Sequence, residues 1–559
     1  MSFRSASMVL LALLAGCQAE PRPVDTHVDD WRDRVIYQIL TDRFANGDPS
    51  NDAADGAEPV RGDLARSQGG DWRGVEEHLD YVERLGMSAI WISPIVRNVA
   101  RTELEDGYHG YWASDFTTHN PRFGTLEELQ SLVAAAHARD IAVIIDVVVN
   151  HTGRVFAYDL DGDGEVDEGE LEPPYRREGY DVPLVWISEP PRLFVPGSAA
   201  RETFAMGPEH FHRRGYGDLG DYEQRRYGDF PTGLRDLDTE RDDLVDALIE
   251  TFAYWVLATD VDGFRVDAVP HSELELHQRF SDGVRRRLAA HGKRNFFVLG
   301  EIFEHDAREI ARHTAEGALD AGFDFPTKLT LIDAVILGGA APASARFALE
   351  GQRGLFRDVP QPRGIGLSPW QARVTIADNH DLPRVRGEVS DAFAVDQALV
   401  AIFMLDSIPG VYYGTEQEFT GRAHHDRREV MWETGFREDL PSFALIQRLA
   451  ALRRGSIALR RGSLLLRYAS EVGGLELEAP TPDAGMIAWE RVHARERVLV
   501  VLNTHPVQAS SARVPTSFSP GTMLEDRLGG ERTYEVASDG SVVVEIPPRE
   551  SVVLFARRG

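Results

Sequence analysis

Three acidic side chains each end a short apolar segment of the chain. Asp267 ends the segment GFRVD, Glu301 ends VLGE, and Asp381 ends IADNHD. Apolar, β-branched segments of this length are typical of strands buried on both faces. Because catalytic groups in a parallel barrel lie at the C-terminal ends of the strands, we expect the three carboxylates to meet at one end of a barrel. Carboxylates grouped in this way could cleave a glycosidic bond.

Cleavage of a glycosidic bond requires two carboxyl groups in different protonation states. One must protonate the leaving oxygen, and the other must attack the anomeric carbon or activate water. Arg265 shares a strand face with Asp267, and its guanidinium would keep that carboxylate ionised, as a nucleophile requires. Partial desolvation of Glu301 at the end of a very apolar strand would raise its pKa, as a general acid requires. Further hydrogen-bonding groups stand beside the strand ends: His151, His380 and Asp381.

Each of these features alone has a simpler structural explanation. An Arg-x-Asp pair on a strand is more often a structural ion pair, and an Asn-His or His-Asp dipeptide at a strand end carries little information. The combination of all of them, on successive predicted strands, is what favours a catalytic site.

The strands that would carry these residues alternate with amphipathic segments. The predicted strands cover residues 35–40, 89–93, 142–148, 263–267, 296–300, 321–325, 374–377 and 410–413. Segments such as residues 126–139 and 243–259 lie between them and have the spacing of helices. Strands separated by helices favour an α/β fold, and this number of strands favours a (β/α)8 TIM barrel over an open sheet. The barrel is expected to comprise residues 31–151 and 241–454.

Two regions do not follow this alternation. Residues 152–240, after the third predicted strand, are rich in Gly, Pro and charge. Structureless loops of this length are uncommon, so we predict a small inserted domain beside the mouth of the barrel. Residues 455–559 contain short alternating apolar segments, which predict a C-terminal antiparallel β-sandwich.

The N-terminus has the features of an export signal. Arg4 precedes an apolar stretch that ends in Leu-Ala-Gly-Cys17, and Cys17 is the only cysteine. This pattern resembles a bacterial lipoprotein signal, residues 1–17, followed by a polar tether, residues 18–30. We expect an exported protein anchored to the bacterial cell envelope by lipid on Cys17, at the outer membrane if the source is Gram-negative. The alternative is an ordinary secretory signal with a chance cysteine.

The net charge limits the kinds of partner. A formal charge of −30 argues against nucleic acid, because phosphate binding needs basic surface. It suits a neutral ligand. No membrane contact is expected other than the lipid anchor, and the oligomeric state stays open.

Taken together, these segments resemble the conserved regions of the α-amylase family of glycoside hydrolases. Further matching motifs are YHGYWASDF, GLRDLD, YYGTEQ and VIYQILTDRFANGDPSND. The resemblance runs from about Trp31 to the C-terminus and is closest to bacterial α-amylases and cyclodextrin glycosyltransferases. It implies Asp267 as nucleophile, Glu301 as general acid/base and Asp381 as the carboxylate that grips the reacting sugar, with retention of the anomeric configuration.

The resemblance also implies the residues that bind the sugar. They would be Tyr111, His109, His151, Arg265, His380 and Arg428. Phe303 would form a platform for the acceptor side, or it simply packs at the strand end. Three places depart from the family pattern. Pro270 replaces a common lysine, His424 replaces a common aspartate, and residues 234–237 read LRDL where the family has LPDL. These departures bear on the range of substrates.

Calcium is expected as a structural cofactor. The pattern D-x-D-x-D-G-x5-E predicts a calcium loop whose ligands are Asp159, Asp161, Asp163, Asp167 and Glu170. The alternative is a solvated acidic loop. The family resemblance implies one further site at Asn150, Asp236 and His271. It implies another at Asn46, Asp48, Asn51, Asp52 and Asp71, with a backbone carbonyl near Gly69.

Three functions remain open at this point. The leading hypothesis is hydrolysis of α-1,4-glucosidic bonds in starch, glycogen-like glucans or maltooligosaccharides. A transglycosylase or cyclodextrin-forming enzyme would use the same residues, although the single domain after the barrel favours hydrolysis. A surface glycan-binding protein without catalysis is disfavoured, because all three carboxylates are present.

Overall fold

The central sheet of the protein consists of parallel strands. The computed structural model describes residues 24–474, 481–530 and 532–557, so the predicted signal peptide and Cys17 lie outside the described residues. The strands are Ile36–Ile39 (β1), Ala89–Ile92 (β2), Ala142–Val147 (β3), Gly263–Val266 (β4), Phe297–Gly300 (β5), Ala321–Gly322 (β6), Val374–Ile376 (β7) and Ile408–Tyr412 (β8). They pair in the order β6-β5-β4-β3-β2-β1-β8-β7, and a parallel bridge between Phe323 and Val374 closes the sheet. The predicted TIM barrel is confirmed.

The barrel strands are buried on both faces, which explains their almost continuous apolar sequences. Every residue of β3 (AVIIDV) and of β4 (GFRV) is buried. Two of these residues carry charge, Asp146 and Arg265, and they stand opposite each other in the parallel register. A buried charge is tolerated only when it is paired. The barrel therefore contains an ion pair close to the C-terminal ends of its strands.

Helices follow the strands and cover the outside of the barrel. The main ones are Trp72–Glu77, Leu79–Leu85, Leu126–His137, Asp242–Thr259, Leu274–Ala290, Ala307–His313, Lys328–Leu337, Ala392–Met404 and Pro441–Gly455. The side chain of Thr125 caps Leu126–His137 by accepting a hydrogen bond from the N–H of Glu128. Asp242–Thr259 buries Leu248, Phe252 and Val256 on one face. Capping and apolar spacing thus fix the two helices that the sequence predicted most clearly.

Residues 152–240 contain only short elements. The strand pairs are His151–Thr152 with Arg235–Asp236, Phe156–Tyr158 with Leu184–Trp186, and Arg192–Phe194 with Thr203–Ala205. Two helices, Glu168–Leu171 and Tyr222–Tyr227, lie between them. The first strand pair joins the two ends of the segment, so the chain returns to the barrel close to where it left.

The C-terminal region forms two antiparallel sheets around one core. The larger sheet has the strand order Ser463–Ala469, Met486–His493, Glu496–Asn503, Ser551–Ala556, Met523–Asp526 and Thr533–Glu535, and the smaller one pairs Ser510–Pro515 with Ser541–Ile546. Leu499 and Val501 of the larger sheet share a buried core with Val514 and Val544 of the smaller. The predicted β-sandwich is confirmed.

The described end of the expected tether packs on the barrel. His27 Nε2 lies 2.8 Å from Asp260 Oδ2, and Lys293 Nζ donates to the carbonyl of Asp25 at 2.9 Å. Val28 is buried. Residues 24–30 therefore differ from a solvated tether, because apolar contacts and hydrogen bonds fix them. Among the described helices, none combines the length and the apolar character needed to cross a bilayer.

Candidate active site

A cavity of about 610 Å³ lies over the C-terminal ends of the barrel strands. Its wall includes ten of the residues predicted from the sequence: His109, Tyr111, His151, Asp267, His271, Glu301, Phe303, His380, Asp381 and Arg428. Arg265 lies beneath the cavity floor with its side chain fully buried. The barrel thus brings together residues that are widely separated in sequence.

The Arg265 guanidinium joins the carboxylates at the floor of the cavity. Its Nη1 donates to Asp267 Oδ1 at 2.5 Å, and its Nη2 lies 2.8 Å from Glu301 Oε1. The same Nη1 lies 3.0 Å from Asp146 Oδ1. One planar cation therefore holds three carboxyl groups, which keeps like charges close together in a buried place.

Glu301 is the group best suited to hold a proton. Burial and the carboxylates of Asp267 and Asp381 together raise its pKa to about 8, although Arg265 opposes this rise. Its Oε2 accepts a hydrogen bond of 3.2 Å from the N–H of Ala268. Ala268 has a φ of 51°, a left-handed conformation that is costly for a residue with a Cβ. The backbone is therefore strained at the point where it contacts the candidate acid.

Asp381 has the opposite environment. Burial alone would raise its pKa, but His380, Arg428 and Arg265 hold that pKa well below its ordinary value. His380 Nε2 lies 3.0 Å from Oδ2, and Arg428 Nη2 lies 3.1 Å from Oδ1. This carboxylate stays ionised and can accept hydrogen bonds from a ligand.

Aromatic and histidine side chains complete the wall around these carboxylates. The ring of Tyr111 stacks on His380 with centroids 5.2 Å apart, and its hydroxyl donates to Asp146 Oδ2 at 2.8 Å. His109 Nδ1 accepts a hydrogen bond from the N–H of Tyr111. The Nε2 of His151 is buried without a hydrogen-bond partner among the described residues. Because this nitrogen belongs to a residue of the cavity wall, it is free to bind a ligand.

Three residues that support the site were not predicted. Asp146 accepts hydrogen bonds from Arg265, Tyr111 and Trp91. Gln38 Nε2 lies 2.6 Å from His380 Nδ1 and so orients that ring. Glu105 lies in the cavity wall. Of these, Asp146 had a sequence signal, since it is a charged residue inside an otherwise apolar strand.

The two ends of the cavity differ in chemistry. Beyond Glu301 lie Phe303, a residue that is 51% exposed, and Glu304, which pairs with Arg225 at 2.9 Å. If Glu301 protonates the leaving oxygen, groups on this side would contact the leaving group. Beyond Asp381 and Arg428 lie Glu105 and His424. Burial, with the charge of Arg428, lowers the pKa of His424 to about 3, so its ring is neutral.

The loop from Asp159 to Glu170 has the geometry expected of a cation site. Carboxylate oxygens of Asp159, Asp161 and Glu170 lie within 4.8 Å of one another, and the same holds for Asp161, Asp163 and Asp167. Asp159 and Glu170 are buried. Gly164, at the turn position of the pattern, has a φ of 76°, which favours glycine. These residues fit calcium, which is held by such oxygens.

Residues 46–71 also fit a cation. The side-chain oxygens of Asn46 and Asn51 are buried and accept no hydrogen bond from the described residues. Asn46 Nδ2 donates to Asp52 Oδ1 at 2.7 Å, and a Cβ on Gly69 would lie 2.3 Å from that same oxygen. Asp71 instead caps a helix through Gly74 and accepts from the N–H of Asp48. Unpartnered oxygens beside a buried carboxylate are what a calcium ion would satisfy.

The third predicted set, Asn150, Asp236 and His271, fits a cation less well. Asp236 Oδ2 lies 2.5 Å from His212 Nδ1. Although burial opposes it, contact with Asp236, Asp238 and Glu240 raises the pKa of His212 to about 11. His271 Nδ1 lies 3.2 Å from the carbonyl of Arg225, and His271 lines the catalytic cavity. His212 thus contacts the Asp236 carboxylate that was expected to bind calcium, and the calcium site at Asn150, Asp236 and His271 stays a prediction.

The barrel and the carboxylates at its mouth define a glycoside hydrolase of the barrel class. Residues 38–442 match the family model described as the α-amylase catalytic domain. The chain therefore belongs to the α-amylase family of glycoside hydrolases.

Individual relatives agree with this assignment. An α-amylase of Streptomyces lividans is 29% identical over 545 residues, which cover 88% of this chain and 56% of that protein; the chain thus spans little more than half of that relative. The crystal structure of an Anoxybacillus α-amylase matches with a TM-score of 0.73 at 25% identity, covering 95% of this chain and 99% of the other. CldA, described as a cyclomaltodextrin glucanotransferase with a three-domain ABC distribution, matches with a TM-score of 0.72 at 25% identity, covering 94% and 99%.

Proposed function

We propose that the protein hydrolyses α-1,4-glucosidic bonds in starch, glycogen-like glucans or maltooligosaccharides, with retention of the anomeric configuration. The observation that carries this proposal is the pairing of Asp267 and Glu301 on the single guanidinium of Arg265, inside a cavity that also contains Asp381. The pairing supports two reacting carboxyl groups at fixed positions. The raised pKa of Glu301, about 8, supports its role as the protonated partner.

In the first step, Asp267 attacks the anomeric carbon while Glu301 gives its proton to the glycosidic oxygen. The bond between that carbon and that oxygen breaks, and a glycosyl ester on Asp267 forms. In the second step, the Glu301 carboxylate takes a proton from water, which attacks the same carbon and releases Asp267. In both steps the reacting sugar is held by hydrogen bonds to Asp381, His380 and Arg428.

Transfer to a sugar acceptor is the second candidate function. In that case a sugar hydroxyl takes the place of water in the second step. The exposed ring of Phe303, beyond the candidate acid, favours this alternative, because an acceptor sugar could stack on it. The single domain after the barrel does not separate the two functions, since CldA is a glucanotransferase with three domains. A binding protein without catalysis is disfavoured by the intact carboxylates and their arginine.

Calcium is proposed as a structural cofactor with no part in the bond cleavage. The loop from Asp159 to Glu170 and the group around Asn46, Asn51 and Asp52 would hold it, because both offer buried oxygens. The ion would balance their negative charge and fix the loops beside the barrel mouth. We also propose export and lipid anchoring to the cell envelope through Cys17, which the sequence pattern alone supports.

A product profile tests the proposed reaction. The chain starting at Gln18 would be incubated with maltoheptaose and with starch in calcium, and the products resolved over time. We expect short linear maltooligosaccharides from the wild type and none from Asp267→Asn. Longer or cyclic products would show that transfer dominates. Failure to turn over either substrate would reject the proposed substrate class.

A further inference from the structure

Two histidines and one glutamate, His424, His425 and Glu105, meet beside the cavity, and two of them, Glu105 and His424, belong to its wall. Glu105 Oε2 lies 3.5 Å from His425 Nε2 and 3.9 Å from His424 Nδ1. All three residues offer ligand atoms within 4.8 Å of one another. None of these contacts is a hydrogen bond, so the three side chains face each other without a bond between them.

The carboxylate of Glu105 is the unusual member of this group. Glu105 is only 8% exposed, and its Oε2 accepts no hydrogen bond from the described residues. A buried carboxylate oxygen without a partner is costly. The nearby arginines do not supply one, because each is paired with another carboxylate: Arg43 with Asp42, Arg66 with Asp106, and Arg428 with Asp381. The oxygen is therefore directed at the two imidazoles and needs a cation or a donor there.

We infer that Glu105, His424 and His425 form a binding site for a divalent transition-metal ion such as Zn2+. Zinc–nitrogen and zinc–oxygen bonds of about 2.1 Å at the tetrahedral angle place neighbouring ligand atoms about 3.4 Å apart. Glu105 Oε2 lies 3.5 Å from His425 Nε2 and 3.9 Å from His424 Nδ1, so small side-chain movements would bring both histidines to that distance. Two imidazoles and a carboxylate suit zinc, copper or nickel rather than calcium, which takes oxygen ligands. Three protein ligands leave a coordination position for water on the cavity side.

Two other groups of histidine and carboxylate lack this feature. The ring nitrogens of His212 lie 2.5 Å from Asp236 and 2.6 Å from Glu240. His27 Nε2 lies 2.8 Å from Asp260. In both groups the donors and acceptors already satisfy one another, so a metal would have to replace existing hydrogen bonds. At Glu105 the metal would satisfy an oxygen that now has no partner.

The position of the site gives the metal an effect on activity. Glu105 and His424 line the same cavity as Asp381 and Arg428. A zinc ion with its water would occupy the space on the non-reducing side of the scissile bond, where further sugar units of a glucan would lie. Zinc is therefore expected to inhibit turnover reversibly; this consequence rests on the proposed function, whereas the metal binding does not.

Direct zinc binding tests the site. The chain starting at Gln18, saturated with calcium, would compete for zinc with a chromophoric chelator. We expect Glu105→Gln, His424→Asn and His425→Asn each to weaken zinc affinity at least about tenfold, since even loss of a supporting contact costs that much. His305→Asn, an exposed histidine in the loop after Glu301, should bind zinc like the wild type. Thermal unfolding shows which variants are folded, and the isosteric Glu105→Gln keeps the shape of the site.

Two results would overturn the inference. One is unchanged zinc affinity in all three folded variants. The other is loss of zinc binding in His212→Asn alone, which would move the metal to that group. If Glu105→Gln slows maltoheptaose turnover without metal while zinc affinity stays the same, Glu105 contacts sugar and the metal site is rejected. Zinc binding that depends on these residues in a chain that turns over no glucan would support the site and reject only the proposed function.

Discussion

Asp267 and Glu301 contact two different nitrogens of one guanidinium, that of Arg265: Nη1 donates to Asp267 Oδ1 at 2.5 Å, and Nη2 forms an ion-pair contact of 2.8 Å with Glu301 Oε1. Because the guanidinium is planar and rigid, it fixes the distance between the two carboxyl groups. In a retaining glycosidase the reacting carboxyl groups lie about 5–5.5 Å apart. A guanidinium that contacts both groups can maintain such a separation. Arg265 also donates a hydrogen bond to Asp146, and this contact positions the guanidinium.

Replacing Arg265 by lysine should leave the distance between the Asp267 and Glu301 carboxyl groups unfixed while keeping the positive charge. An ammonium carries its charge and its donors on one nitrogen, so it cannot contact both carboxyl groups through two nitrogens in one plane, as a guanidinium does. We expect kcat/KM for maltoheptaose to fall by about 100-fold or more, since small misplacement of reacting groups is costly. The matched control is Arg373→Lys. Arg373 is also buried and paired, with Asp324 and Asp406 at the start of β7, so its replacement should lower Tm but leave kcat/KM close to the wild type. Equal activity of the two folded variants would contradict the proposed role.

The pH dependence should show a basic limit set by Glu301. Burial raises the pKa of this carboxyl from its ordinary value of 4.5 to about 8, so it keeps its proton up to that pH. Since the first step needs the protonated form, kcat/KM should fall as pH rises through about 8. The nucleophile and Asp381 act as anions and do not cause this fall. A profile measured to pH 9.5 checks it, and a flat profile would reject Glu301 as the acid.

A substrate whose leaving group needs no protonation separates the acid from the other roles. With a dinitrophenyl maltoside, Glu301→Gln should lose far less activity than it loses with maltoheptaose. We expect a loss of about 10²–10⁴-fold on maltoheptaose, the usual contribution of general acid catalysis. Asp267→Asn should abolish turnover of both substrates. Equal losses of Glu301→Gln on both substrates would assign this residue a different role.

The barrel and its catalytic carboxylates could be predicted because their signals are local. Each barrel strand is an apolar segment, and the polar residue that follows it marks the mouth. β6 is the exception, since only Ala321–Gly322 forms a strand where residues 321–325 were predicted. In the sandwich, Ser510–Pro515, Met523–Asp526 and Thr533–Glu535 were not predicted, because their outward positions are polar and break the apolar pattern.

The supporting residues depend on contacts between distant parts of the chain. Glu105 reaches the site from a loop between two short strands, and no local pattern places it opposite His425. His212 contacts Asp236, 24 positions further along the chain, and no local pattern in the sequence indicated this contact. Asp146 could have been found, since a charge in a buried strand requires a partner and Arg265 lies on the neighbouring strand.

Removal of calcium should destabilise the protein. At a free calcium concentration 100 times its dissociation constant, a bound ion contributes about 2.7 kcal/mol to the free energy of unfolding. We therefore expect chelation to lower Tm by several degrees, and Glu170→Gln to remove part of that calcium-dependent change. Glu168→Gln is the matched control, because it removes the same charge in the same loop at a position that the pattern does not use. Identical calcium dependence of Tm in the two variants would argue against the loop as a calcium site.

Phe303 provides the sharpest test of the acceptor side. Its ring packs edge-on against Phe325 with centroids 4.7 Å apart, and 51% of the residue remains exposed. If a sugar stacks on this exposed face, Phe303→Ala should lower kcat/KM for maltoheptaose about fivefold and reduce the ratio of transfer to hydrolysis, because loss of a stacking ring costs about 1 kcal/mol. Phe303→Tyr should retain both properties.

Phe393→Ala is the control for that experiment, since Phe393 is 64% exposed on a helix outside the catalytic cavity. It should leave the products unchanged. If Phe303→Ala lowers Tm but leaves the product profile and kcat/KM unchanged, the ring only packs against Phe325. The acceptor side would then have to be formed by the remaining wall of the cavity, where Arg225 and Glu304 face each other at 2.9 Å, and a double replacement of that pair becomes the next variant to measure.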